Sequence, residues 1–234
     1  MTVIFLLFVS LALGNGCERP VEQVSNISTP SPTPTVQKRT RMDKETLGKL
    51  VESTDPSVAA LIRDDSSRIE VFGDPIGSGT IYKVSKFAPT RMIIQYIGMP
   101  SANEAIILTA DRAAFQRFAE ASRALLARSE DRVAYGKAFL QIAVAGSKRF
   151  ILLDSVNEVK PRPNLNEEQT KAFGEFVNKY SSIIKPATCS GEQCKFYAIF
   201  GQDLVSFDLG IASNGKVTLE ENVVERNLLI PYAM

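Results

Sequence analysis

Asn214-Gly215 stands between the runs LVSFDLGIA (204–212) and KVTLE (216–220), and it narrows the possible folds more than any other feature. Both residue types tolerate positive φ, so two apolar-rich runs joined by them are expected to form an antiparallel hairpin on a type I′ turn. Gly146-Ser147, between KAFLQIAVA (137–145) and KRFILLD (148–154), carries the type II′ form of the same signal. Four earlier runs, RIEVFG (68–73), TIYKVS (80–85), RMIIQYI (91–97) and EAIILT (104–109), are rich in β-branched and aromatic residues. Gly, Pro and Asn separate them, and KFYAIF (195–200) and NLLI (227–230) extend the series. Hairpin-joined strands of this kind build antiparallel sheets.

Two segments have helical rather than alternating periodicity. In the first, about 110–129, Phe115, Phe118, Ala119, Leu125 and Leu126 share an arc of about 120°, with Thr109 as the expected N-cap and Asp111 in the first turn. In the second, 167–184, Phe173, Phe176, Val177, Tyr180, Ile183 and Ile184 fall at helical spacing. Asn166 and Gln169 make a capping-box pair at its start, Glu167 and Glu168 suit its positive end, and Pro186 stops it. The expected fold class is therefore α+β, mainly antiparallel sheet with two principal amphipathic helices.

The N-terminus reads differently. Val3 to Leu13 is an apolar run of eleven residues broken only by Ser10, about 17 Å as a helix against a hydrocarbon core of about 30 Å. Gly14, Asn15 and Gly16 follow, and then Cys17. This stretch resembles a bacterial lipoprotein signal peptide. The resemblance implies removal of residues 1–16, lipidation of Cys17, attachment to a membrane through acyl chains, and a place in the bacterial cell envelope, with simple secretion as the alternative. Residues 17–41 hold Pro20, Pro30, Pro32 and Pro34 among Ser and Thr, a composition expected to stay extended as a linker. The basic stretch at 38–44 reads as its solvated boundary with a single globular domain over 42–234. With Cys17 lipidated, Cys189 and Cys194 remain as a pair, and a local disulfide is expected in an oxidising compartment.

The chemistry of the chain is bounded chiefly by what it lacks. There is no histidine and no tryptophan among 234 residues. Without histidine, Ser-His-Asp and Cys-His nucleophile systems and His-containing zinc sites cannot form within the chain. A net charge of +1 gives no general attraction to nucleic acid, and no cofactor is expected. Gly77-Ser78-Gly79 precedes a strand and lacks the lysine of a phosphate loop, so it reads as a turn. Ser182 and Lys185 match Ser-x-x-K without its companion elements, at the wrong end of a helix. Arg112, Arg117, Arg123 and Arg128 read as a solvated helix face. The adjacent acids Asp64-Asp65, Glu167-Glu168 and Glu220-Glu221 are not sites by themselves. The expectation is a non-enzymatic envelope module that binds or assembles with an envelope protein or small ligand. The alternatives are a carboxylate- or Lys-based hydrolase or lyase, and a small-ligand carrier with a cavity between helices and sheet.

Overall fold

The computed structural model describes residues 42–73, 76–146 and 148–231. The expected signal peptide, Cys17 and the linker lie outside the described residues. The described chain is α+β, with two antiparallel sheets and five α-helices.

Two helices unannounced by the hydrophobic pattern come first. Asp43 accepts the Thr46 N–H at 2.8 Å and starts α1 (Lys44–Glu52), while Asp55 accepts the Ser57 and Val58 N–H groups and starts α2 (Pro56–Arg63). Leu47, Val51, Val58 and Ile62 from this pair are buried against one face of the first sheet. That sheet is a meander of β1 (Arg68–Val71), β2 (Thr80–Phe87), β3 (Met92–Ser101) and β4 (Glu104–Ile107). Alternation along β2 and β3 sends Tyr82, Val84, Ile97 and Met99 to α1 and α2, and Ile81 and Tyr96 to the other face.

That second face receives α3 (Arg112–Ala121), through Phe115 and Phe118. The helix is shorter than expected and starts later. Asp111, not Thr109, caps it by accepting the Ala114 N–H, because the Thr109 hydroxyl accepts the Tyr96 N–H instead. It ends where Arg123 takes φ +51°: the Arg123 N–H donates to Glu120 and the Ala124 N–H to Ala119, a Schellman closure with arginine in the glycine position. Leu125 is consequently 77% exposed, outside the apolar arc assigned to it, while Leu126 is buried.

The expected strand 137–145 is helical. α4 (Ser129–Phe139) runs straight into a π-helical stretch, Leu140–Ala145. A continuous apolar run does not distinguish a buried strand from a buried helix. Here Tyr135, Phe139, Leu140 and Ile142 are all buried in the layer between the two sheets, which needs helical spacing. Gly146, at φ +57°, closes the stretch. The predicted hairpin at Gly146-Ser147 therefore does not exist, since no strand precedes it; Ser147 lies outside the described residues.

The second sheet has the order β5-β7-β8-β9, with β6 also paired to β7: β5 (Phe150–Leu153), β6 (Thr188–Ser190), β7 (Gln193–Phe200), β8 (Asp203–Ile211) and β9 (Val217–Glu225). NLLI forms no strand. The Asn214-Gly215 hairpin joins β8 to β9, but only Gly215 has positive φ, +82°. The Gly215 N–H donates to Ala212 and the Ala212 N–H to Lys216, a longer loop than type I′. Phe196, Phe207, Leu209 and Ile211 face α3 and α4, and the opposite face is partly covered by α5 (Glu167–Tyr180). The expected capping box is present in both directions, Gln169 N–H to Asn166 and Asn166 N–H to Gln169. The helix stops at Tyr180, and 181–183 form a turn.

Candidate functional site

A cleft of about 620 Å³ lies between the β1–β2 end of the first sheet and α4. Phe72, Ile76 and Ile81 form one wall, Leu125 and Leu126 one end, and α4 the other wall. Asp131, Ala134, Ala138 and Gln141 recur at three- and four-residue spacing, so they share a helix face. From Asp131 to Gln141 that face runs about 15 Å at 1.5 Å per residue. Its middle is surfaced by two alanines, which leave the space that larger side chains would fill.

Three tertiary contacts hold the walls apart. First, the turn Gly77-Ser78-Gly79 is docked on the end of α3, with the Ser78 N–H donating to the Ser122 carbonyl at 2.9 Å. A Cβ on Gly77 would lie 2.0 Å from that carbonyl oxygen, and one on Gly79 2.7 Å from the Phe118 ring, so both positions need glycine for space. Second, Gly136 lets α4 sit directly on the second sheet, where a Cβ would be 2.5 Å from Phe196. Third, the Asn214-Gly215 loop docks under the cleft: the Tyr135 hydroxyl donates to the Gly215 carbonyl at 2.6 Å, and the Leu126 N–H donates to Ser213.

Charge is confined to the rim and largely neutralised there. Arg128 donates twice to Asp131, at 2.6 and 3.1 Å, and Lys137 lies 3.3 Å from Asp154. Glu130 completes the rim. Deeper in, the Gln141 amide donates to the Tyr96 hydroxyl at 3.5 Å, and Phe72 meets Tyr96 edge to face at 5.1 Å. Burial raises the Tyr96 phenol above its ordinary pKa, partly offset by Gln141, and pushes Tyr135 higher still. Both therefore remain neutral hydrogen-bonding groups near neutral pH.

Of the residues singled out in the sequence, Gly77 and Arg128 line this cleft, whereas the cysteines, the acidic pairs, Ser182 and Lys185 do not. Cys189 and Cys194 form a disulfide across the β6–β7 ladder, with Cα atoms 4.1 Å apart. The Ser129 hydroxyl at the start of α4 donates to the Cys189 carbonyl, so this small hairpin supports the helix behind the cleft. The four arginines expected on one helix are divided: Arg112 and Arg117 on α3, Arg123 in the closing turn, and Arg128 at the cleft rim. Ser182 and Lys185 are exposed beyond α5.

The acidic pairs also remain apart. Asp64 ends α2 and binds Lys86 and Ser66, Glu167 and Glu168 lie in the first turn of α5, and Glu220 and Glu221 stand exposed on β9. Among the described residues, no three His, Cys, Asp or Glu side chains are grouped to hold a metal ion. Every described carboxylate with a shifted pKa is shifted downward, as in Asp131 beside Arg128, Glu52 beside Arg63 and Glu225 beside Lys179.

Sequence reasoning missed the cleft because its walls come from segments that are distant in the chain. The stretch 130–136 lies between the helix expected to 129 and the strand expected from 137, and Ala134 and Ala138 carry no local signal of a cleft. A smaller groove of about 280 Å³ runs between Phe173 and Phe176 of α5 and Leu228 and Leu229. No helix among the described residues is long and apolar enough to cross a membrane. Comparison with known proteins finds no protein-family model, no curated protein and no solved structure that matches the chain.

Proposed function

We propose that this chain is a non-enzymatic binding module of the bacterial cell envelope, held to a membrane by acyl chains on Cys17, which takes a small ligand in the cleft beside α4. The observation that carries the binding reading is a cleft of about 620 Å³, mostly apolar inside and polar at its rim. Ligand sites commonly fall in the range of about 300–1,000 Å³ with this distribution of groups. The envelope placement is supported by the apolar run ending at Cys17 and by the proline-rich segment after it. A spacer of some twenty residues at about 3 Å each would let the domain stand up to about 60 Å from the anchor.

Two experiments test the halves of this proposal separately. Intact-mass analysis of the full chain expressed in a bacterium should show loss of residues 1–16 and an acyl-glyceryl mass on Cys17. A Cys17→Ser variant that keeps that mass would refute the anchor. For the binding half, the purified chain is denatured and its organic extract compared by mass spectrometry with that of an Ala138→Phe variant, in which a ring occupies the cleft. A small molecule present with the native chain and depleted from the variant is the expected result. Identical extracts from two folded proteins would count against the cleft.

A further inference from the structure

We infer that the molecule taken by the cleft is uncharged: a neutral, mainly apolar or aromatic compound that lies along α4, with one hydrogen-bonding group toward Gln141. This rests on the binding reading and adds to it the chemical class of the ligand. Two cations, Arg128 and Lys137, and two anions, Glu130 and Asp131, border the cavity. Each cation already has a carboxylate partner, Asp131 for Arg128 and Asp154 for Lys137. An anionic ligand would compete with the carboxylate already paired to each cation, and a cationic one would find only Glu130, which is exposed at the rim. Burying an uncompensated charge in such a site is strongly unfavourable. The uncharged polar side chains of the lining are Gln141, whose amide donates to the Tyr96 hydroxyl behind it, and Tyr135, whose hydroxyl already donates to Gly215. The lining face of α4 runs about 15 Å from Asp131 to Gln141 with two alanines at its middle, which suits an elongated or flat molecule.

Matched fluorescent probes test the charge directly. The full chain, with its acyl groups carried in neutral detergent, is titrated with neutral N-phenyl-1-naphthylamine and with anionic 1-anilinonaphthalene-8-sulfonate. Neutral diphenylhexatriene and its cationic trimethylammonium derivative form a second pair. Only the component of binding removed by filling the cleft is scored, using Ala138→Phe and, on the exposed turn of the same face, Ala134→Leu as a second filling variant. The expected result is that the neutral member of each pair binds at least about tenfold more tightly, and that either variant weakens it by about tenfold. If a charged member binds the same site as tightly as its neutral partner, the assignment of class is wrong while the binding cleft stands. If no probe shows a component sensitive to either variant, the cleft itself is not a ligand site, and both readings fall.

Discussion

At the scale of single residues, several positions carry unusual demands. Arg123 holds φ +51° at the end of α3, where glycine is the ordinary occupant. The Ser78 backbone and hydroxyl both reach the Ser122 carbonyl, which helps to keep the turn closed. Arg123→Gly is expected to stabilise the protein by about 0.5–1 kcal/mol, raising Tm by about 1–4 °C in a thermal melt. Asp64 is a second such residue. Lys86, then the Ser66 hydroxyl and N–H, lower its pKa from 3.8 to about 2. A lowered carboxylate contributes stability that is present above its unfolded pKa and is lost as pH falls through the folded one. Urea midpoints should therefore decline between about pH 4 and pH 2. Asp64→Asn should be less stable than the native chain at pH 6 and show a shallower decline; parallel curves for both proteins would contradict this.

At the scale of elements, the short connections decide how helices meet sheets. Replacing Gly77 by alanine places a Cβ 2.0 Å from a backbone carbonyl at φ +58°. The expected cost is about 2 kcal/mol or more in chemical denaturation, because neither partner is a flexible side-chain end. The β6–β7 hairpin is held by the Cys189–Cys194 disulfide and touches the start of α4. The double variant Cys189→Ala/Cys194→Ala should lose about 2 kcal/mol in the chain-entropy account of so small a loop. Its weakening should also appear in α4, as faster amide exchange over the first turn. The elements most visible in the sequence were those with both a cap and a period. α5 has Asn166, Gln169 and a repeating apolar face, and its N-terminus falls where those residues place it. α1 and α2 were equally well capped, by Asp43 and by Asp55-Pro56, yet their eight or nine residues are too short for periodicity alone to reveal them.

At the scale of the whole described domain, layers of unequal burial predict unequal stability. The central layer buries Phe115, Phe118, Leu140, Phe196 and Phe207 completely or nearly so, whereas α5 buries only Tyr180 among its fourteen residues. Native-state hydrogen exchange should therefore show α5 opening at a lower free energy than β7 and β8. Equal protection of α5 and the central strands would show that its docking is stronger than this burial implies. The antiparallel α+β character, the positions but not the full extents of most strands, the start of α5 and the pairing of Cys189 with Cys194 were legible in the chain itself. They depend on turn chemistry, caps and alternation within a few residues of one another. The helical state of 137–145, the break of α3 at Arg123 and the cleft beside α4 were decided by tertiary structure alone. The first depends on two sheets closing around one apolar run, the second on a turn more than forty residues earlier docking at Ser122, and the third on alanines whose neighbours lie in another sheet. Burial and steric fit between distant segments are set by what packs alongside, and a local pattern carries no record of that.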